Sequence, residues 1–240
     1  MTVRLYVDAA LAQGAEFELP DSAARHVQVR RLQPADRLLL FNGRGGEWAA
    51  SVVKMGRQTV TVRVADFDPV ERELGVQVTL ALGMPANERM DFLVEKATEL
   101  GVAAIQPLLC ERSVLRLAGD RALRKREHWQ AVAAAAAEQS GRTRVPDVAP
   151  VLPLERWLST LETDAARVLL SPQEAAAPLS CVTRGARGLL TLSGPEGGLS
   201  PKEEAAAAAR GFVAARLGDR VLRAETAPLA VLAWIGLSPS

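Results

Sequence analysis

The chain has few of the residues that build metal centres and covalent frameworks. Among its 240 residues are two cysteines, Cys110 and Cys181, and two histidines, His26 and His128, none at ligand-like spacing. Neither a structural zinc, a catalytic metal nor a disulfide scaffold is expected. No apolar run is long enough to span a bilayer. The amino terminus, with Arg4, Asp8 and Glu16 around short alternating segments, does not have the pattern of a signal peptide, so a cytoplasmic protein free of membrane is expected. The net charge of +1 gives no global attraction to nucleic acid, so any such partner must meet a local basic patch. A Gly-Lys-Ser/Thr loop and a complete GxGxxG fingerprint are also missing, which argues against a nucleotide hydrolase.

What is present starts with a hydrophobic fraction of 48%, ample for one large core or two smaller ones. The first 72 residues read as short strands: Val3 to Val7, Glu16 to Leu19, Asp36 to Asn42, Glu47 to Val53 and Gln58 to Val64. Asn42-Gly-Arg-Gly-Gly46 is a hairpin turn, and a helical segment lies near Ser22 to Val29. A small barrel fits this pattern. The polar stretch Asp66 to Gly75 reads as a linker.

From residue 73 the pattern becomes α/β. Strands are expected at Val76 to Leu82, Ala103 to Leu109, Arg167 to Ser171, Gly188 to Ser193 and Phe212 to Leu217. Met90, Leu93, Val94, Ala97 and Leu100 form one face of a helix stopped by Gly101, and an alanine-rich helix runs from about Asp120 to Ser140.

Two glycine-bearing loops in the second region follow strand-like runs directly. The first is Leu192-Ser-Gly-Pro-Glu-Gly-Gly-Leu-Ser-Pro201; the second is Leu217-Gly-Asp-Arg-Val-Leu-Arg-Ala-Glu-Thr-Ala227. Glycine there leaves backbone amides and carbonyls open to a ligand. Ser200 and Glu203 have capping-box spacing with Pro201 at the first helical position, so a helix starts where the first loop ends. Thr226 or Glu225 can cap a final helix that tolerates Pro228 in its first turn. Both loops also have a plain reading as glycine turns.

Lys96-Ala-Thr-Glu-Leu-Gly101, Glu111-Arg-Ser113, Ala137-Glu-Gln-Ser-Gly-Arg142, Ser193-Gly-Pro-Glu-Gly-Gly198 and Arg220-Val-Leu-Arg-Ala-Glu-Thr-Ala227 occur in this order. Together they resemble the RsmE family of small-subunit ribosomal RNA methyltransferases, which act on N3 of a uridine and belong to the SPOUT class. The resemblance spans nearly the whole chain, including His26 to Gly45. It implies an α/β protein with a PUA-like barrel at 1–72 that binds RNA and a SPOUT trefoil-knot domain at 73–240, an exception to the rule against knots. It further implies S-adenosyl-L-methionine as cofactor, ribosomal RNA of an assembled or assembling small subunit as partner, and a homodimer. Departures are Val29-Arg-Arg31, Ala35-Asp36 where a Gly-Asp pair is expected, and Ala224 in place of a threonine.

Carried onto this sequence, the cofactor pocket comprises Leu170, Ser171 and Pro172; Ser193, Gly194, Pro195, Glu196, Gly197 and Gly198; and Leu217, Gly218, Val221, Leu222, Thr226 and Ala227. Arg223 and Glu225 are the catalytic candidates: Arg223 to hold the uracil oxygens as charge develops, Glu225 to accept the N3 proton. Plainer readings stand beside these, with Glu225 as a helix cap, Arg223 in an ion pair and Glu196 as a tie to a neighbouring amide. RNA contacts are assigned to Arg25, Arg30, Arg31, Arg112, Glu138, Gln139 and Arg142, with Arg116, Arg121, Arg124, Lys125, Arg126 and Arg144 as further basic neighbours. A solvated charged face or, for Glu138 and Gln139, a helix end are the alternatives. The same chemistry on another RNA site, or a non-catalytic ribosome assembly factor that binds RNA, remain alternative functions.

Overall fold

A computed structural model describes residues 2–86, 88–173, 176–183 and 185–237. The chain divides into two compact units, residues 1–73 with 134–145, and 74–133 with 146–240.

The first unit holds β1 (Val3–Tyr6), β2 (Glu16–Glu18), α1 (Asp21–Val29), β3 (Arg37–Phe41), β4 (Glu47–Met55) and β5 (Val60–Asp68). These strands form one sheet in the order β1-β3-β4-β5-β2, with β1 parallel to β3 and the other pairs antiparallel. Period-two alternation in β3, β4 and β5 sends Leu38, Leu40, Val52, Val60, Val62 and Val64 inward, where they bury with Leu5, Val7 and Val27. The β3–β4 turn takes positive φ at Gly43, Gly45 and Gly46, and a Cβ at Gly46 would fall 2.3 Å from the Phe67 ring. Ala35, standing where glycine was expected, has φ of 74°.

The segment 134–145 was expected to belong wholly to the second domain, but it packs within the first unit. Buried polar groups hold it there. Arg4 donates to Glu47 at 2.9 Å, to the carbonyls of Ala137, Glu138 and Arg142, and lies 3.7 Å over the Phe41 ring. Glu138 accepts from the Tyr6 amide at 2.7 Å and sits 3.1 Å from His26 Nδ1.

Nor is the stretch from Asp66 to Gly75 a plain linker. Its start completes β5; then Arg72 pairs with Glu47, Glu71 with Arg144, and Glu73 with Arg142. Charges that read as part of a linker in the sequence are ion-pair partners of distant residues, Glu71 and Glu73 of arginines some seventy positions away.

The second unit contains β6 (Gln77–Gly83), α2 (Glu88–Glu99), β7 (Ala104–Leu109), the first part of α3 (Gly119–Ser140), β8 (Asp147–Val148), β9 (Leu152–Pro153) and α4 (Leu154–Thr160). It continues with β10 (Ala166–Leu170), β11 (Ala177–Pro178), α5 (Leu179–Val182), β12 (Gly188–Ser193), α6 (Pro201–Ala209), β13 (Val213–Arg216) and α7 (Thr226–Leu237). Its strand pairs among the described residues are all parallel, in the order β11-β13-β10-β12-β6-β7-β8, with β9 also on β7.

A parallel sheet covered on both faces explains the near-continuous apolar runs of β6, β7 and β12. The expected strands and long helices are present. The short elements β8, β9, β11, α4 and α5 were not expected, because two to seven residues carry too little periodicity to register. Because β10, β12 and β13 are parallel neighbours of one another through β10, their carboxyl ends lie on one edge of the sheet. The three loops expected to form a pocket leave from that edge.

Candidate functional site

The loop after β12 is shaped by close backbone approach. A Cβ on Gly194 would fall 2.7 Å from both Gly198 C and Leu199 N, so this glycine is required by the way the loop doubles back. Gly198 has φ of 69°, and its amide donates to the Pro195 carbonyl at 2.8 Å. The capping box then starts α6: Ser200 Oγ accepts from the Glu203 amide and Glu203 Oε2 from the Ser200 amide.

Several side chains fix this loop to its neighbours. Glu203 Oε1 also accepts from the Glu111 amide at 2.8 Å, and Arg112 donates to the carbonyls of Gly197 and Leu199, both at 3.1 Å. Glu196 Oε1 accepts from the Ala86 amide at 2.9 Å and lies 3.4 Å from Arg89. The reading of Glu196 as a tie to a neighbouring amide therefore holds, and Glu196 faces the cavity as well.

The loop after β10 is anchored by the Ser171 amide donating to the Ala215 carbonyl at 2.9 Å. In the third, Gly218 has φ of 102°, and the amides of Thr226 and Ala227 donate to the Arg223 carbonyl as α7 begins.

The three loops enclose a cavity of about 660 Å³. Every expected cofactor-pocket residue lines it except Thr226, which is the exposed first residue of α7. Arg223 lines it too. Glu225 does not; it is 9% exposed and one carboxylate oxygen, Oε2, is buried without a partner. Ser193 Oγ, on the lining, is likewise buried and unpartnered. Unpaired buried polar atoms are costly, so Ser193 Oγ on the lining is placed to meet a ligand's polar group.

Sequence reasoning missed Arg89 and gave no pocket role of their own to Arg220 and Ala224 within the glycine loop after β13; all three line the cavity. Arg89 opens α2, where only the apolar face was read. Arg220 and Arg223 carry no side-chain hydrogen bond or ion pair among the described residues, so the cavity has two guanidinium groups available to negative charge. Cys110 lies close by, its sulfur 3.0 Å from where a Gly83 Cβ would stand. Burial, with Glu203 nearby, pushes its thiol up to about 12, so it is no nucleophile at neutral pH.

The expected RNA contacts separate into two groups. Arg25, Arg30, Arg31 and Gln139 are exposed. By contrast, Arg142 is 4% exposed and held by Glu73, Glu138 is bonded to Tyr6 and His26, and Arg112 grips the glycine loop. Arg142 and Glu138 are corrected from RNA contacts to structural ties, because their polar atoms are spent on protein groups, whereas Arg112 is exposed and engages the loop through one nitrogen. Of the further basic residues, Arg144 pairs with Glu71 and Arg126 donates to the Val148 carbonyl. Among the described residues, no group of three or more His, Cys, Asp or Glu is placed to hold a metal ion.

A family model described as an RNA methyltransferase domain matches residues 72–236, and one described as an RNA methyltransferase PUA domain matches residues 19–65. The ribosomal RNA small subunit methyltransferase E of Bacillus subtilis is 31% identical over 94% of this chain and 91% of its own length. That of Mycobacterium bovis is 32% identical over 98% and 91%. The chain belongs to the ribosomal RNA small subunit methyltransferase E family.

Two solved structures superpose closely. The enzyme from Neisseria gonorrhoeae, crystallised bound to S-adenosyl methionine, matches with a TM-score of 0.91 and 34% identity over 97% of this chain and 96% of that one. A putative methyltransferase from Legionella pneumophila, in complex with the bound cofactor SAM, gives a TM-score of 0.91 and 30% identity over 98% and 97%. The amino-terminal sheet is thus the family's PUA domain, and the parallel-sheet unit its methyltransferase domain.

Proposed function

We infer that this protein is a methyltransferase that uses S-adenosylmethionine to methylate ribosomal RNA of the small subunit, at N3 of a uridine. The reading rests above all on the 660 Å³ cavity at the carboxyl ends of β10, β12 and β13, in a chain related over nearly its full length to enzymes crystallised with that cofactor.

The residues fit the cofactor. Gly194, Gly197 and Gly198 bring bare backbone to the cavity, Leu170, Leu217, Val221 and Leu222 offer apolar contact to a purine, and Ser193 Oγ has no protein partner. Bound there, S-adenosylmethionine supplies an electrophilic methyl on a sulfonium. The protein's own part is to orient the uracil in line with that methyl and to manage the N3 proton. Arg223, at the cavity with no ion-pair partner among the described residues, is assigned to the uracil oxygen on which negative charge gathers as the proton leaves. Glu225 is assigned as the proton acceptor. Its Oε2 is buried without a partner among the described residues, and it is two residues from Arg223.

The chain is further proposed to divide its work at residue 72, with 1–72 positioning RNA through Arg25, Arg30 and Arg31, and 73–240, closed by a trefoil knot, carrying out the transfer. A homodimer is proposed through α7. That helix is apolar on all sides, yet Trp234 and Leu237 are 40% and 85% exposed, and Phe92 of the neighbouring α2 is 49% exposed. Among the described residues no helix is long and apolar enough to cross a membrane, and a cytoplasmic location is proposed with the ribosomal substrate.

The test is methyl transfer to small subunits lacking the modification, comparing wild type with Glu225→Gln and Arg223→Ala. Each variant should lose roughly 10²–10³-fold in kcat with cofactor affinity retained. Full activity in both would remove the catalytic assignment.

A further inference from the structure

A second cavity, of about 310 Å³, is lined in part by the start of α6, the helix that follows the glycine loop. Ser193 to Gly198 line the cofactor cavity, while Lys202, Glu203 and Ala206 line this one, so only Leu199, Ser200 and Pro201 separate the two linings along the chain. The loop from Cys110 to Arg116 joins them. Arg112 grips Gly197 and Leu199 beside the cofactor cavity, while Glu111 and Arg116 face the second one.

The chemistry of the second cavity is mixed in a particular way. Leu154, Leu158 and Ala206 give it an apolar wall, and its rim carries both cations and carboxylates. Glu203 is committed to the amides of Glu111 and Ser200, and Lys202 pairs with Glu155 at 2.7 Å. Arg116 donates from one nitrogen to the Glu111 carbonyl at 2.9 Å, and the rest of its fork has no partner among the described residues. A simple anion would be repelled by the carboxylates, and a purely apolar ligand would strand the rim charges. A nucleotide satisfies all three features. Its base covers the apolar wall, an exocyclic amine donates to a carboxylate, and its phosphate meets the free side of a guanidinium.

We propose that this cavity is a subsite for one nucleotide flanking the target, with its base against Leu154, Leu158 and Ala206 and its phosphate at Arg116. The proposal rests on the RNA methyltransferase reading and adds to it a source of sequence preference. Because three residues separate the two linings along the chain and Arg112 ties the loop of one to the glycine loop of the other, a nucleotide held here would fix the register of the strand that enters the cofactor cavity.

Two measurements test this on the full-length protein. In steady-state methylation of unmodified small subunits, Arg116→Glu and Ala206→Phe should each raise KM for the subunit about tenfold. Both should leave the S-adenosylmethionine Kd within about twofold of wild type, and Arg116→Lys should recover most of the loss. An unchanged KM in both variants overturns the proposal. The second measurement needs no turnover. Cytidine 5′-monophosphate titrated against methyl-labelled wild type should shift the Leu154 and Leu158 signals, and inorganic phosphate should not. No shift, or equal shifts with phosphate alone, overturns the nucleotide assignment. Failure of wild type to bind S-adenosylmethionine would instead strike the parent reading, so the two failures are distinguishable.

Discussion

Replacing Gly194 by alanine adds a single methyl group at the tightest point of the site. The added Cβ would stand 2.7 Å from Gly198 C and Leu199 N and 2.9 Å from Gly198 Cα, all main-chain atoms. No rotamer change can relieve a clash with backbone, so the loop must open, and Gly197 and Gly198 move with it. Overpacking of this kind costs about 1–3 kcal/mol. If that cost falls on the cofactor-binding conformation, affinity for S-adenosylmethionine drops by about 5- to 150-fold. The control is Gly197→Ala, whose Cβ would stand 3.1 Å from Arg112 Cβ and 3.5 Å from the Arg112 carbonyl oxygen, a tight contact but a milder one that a few tenths of an ångström relieves. Calorimetric titration of both variants should show a large loss for Gly194→Ala and a small one for Gly197→Ala. Wild-type affinity in Gly194→Ala would refute the claim that the doubled-back loop forms the cofactor site.

Other outcomes follow from the first unit. Ala35 sits at φ of 74°, where a side chain is strained, and its amide bonds to Val52 at 2.8 Å. Ala35→Gly should therefore stabilise by about 0.5 kcal/mol despite the added freedom of the unfolded chain, seen as a higher urea midpoint. For Glu47, burial alone would raise the carboxyl, but hydrogen bonds from Arg72 and Arg4 more than offset it and hold the group below its ordinary value of 4.5. The unfolded state then takes up the proton first as pH falls. The stabilisation is present in full above pH 4.5 and is lost as pH drops through the lower folded value. Urea unfolding of Glu47→Gln should be weaker than wild type at neutral pH, with the gap narrowing in acid; a gap independent of pH would contradict this.

Legibility in the sequence followed the range of the interactions. The capping box at Ser200 and Glu203, the stop at Gly101 and the apolar face of α2 are set by residues within a few positions of each other, and the structure has them where the spacing put them. The pocket-forming glycines were visible for the same reason, since a turn declares itself locally. Arg142 and Glu138 were misread because their partners, Glu73, Tyr6 and His26, are far away in the chain, and a basic or acidic residue in a helix tail looks the same whether it meets solvent, RNA or a distant carboxylate. The hold of Arg112 on the glycine loop was hidden for a similar reason. Its partners are backbone carbonyls, which leave no mark on the sequence. Arg89 was missed because it lies beside an apolar face whose periodicity explained the helix without it.

The most direct test of the central claim is nucleoside mass spectrometry of small-subunit ribosomal RNA from subunits lacking the modification, after incubation with the purified protein and S-adenosylmethionine. The account predicts one new N3-methyluridine that depends on both protein and cofactor and is absent with Arg223→Ala. Bound cofactor with no methylated nucleoside would contradict it, as would a methyl group on another base or on ribose.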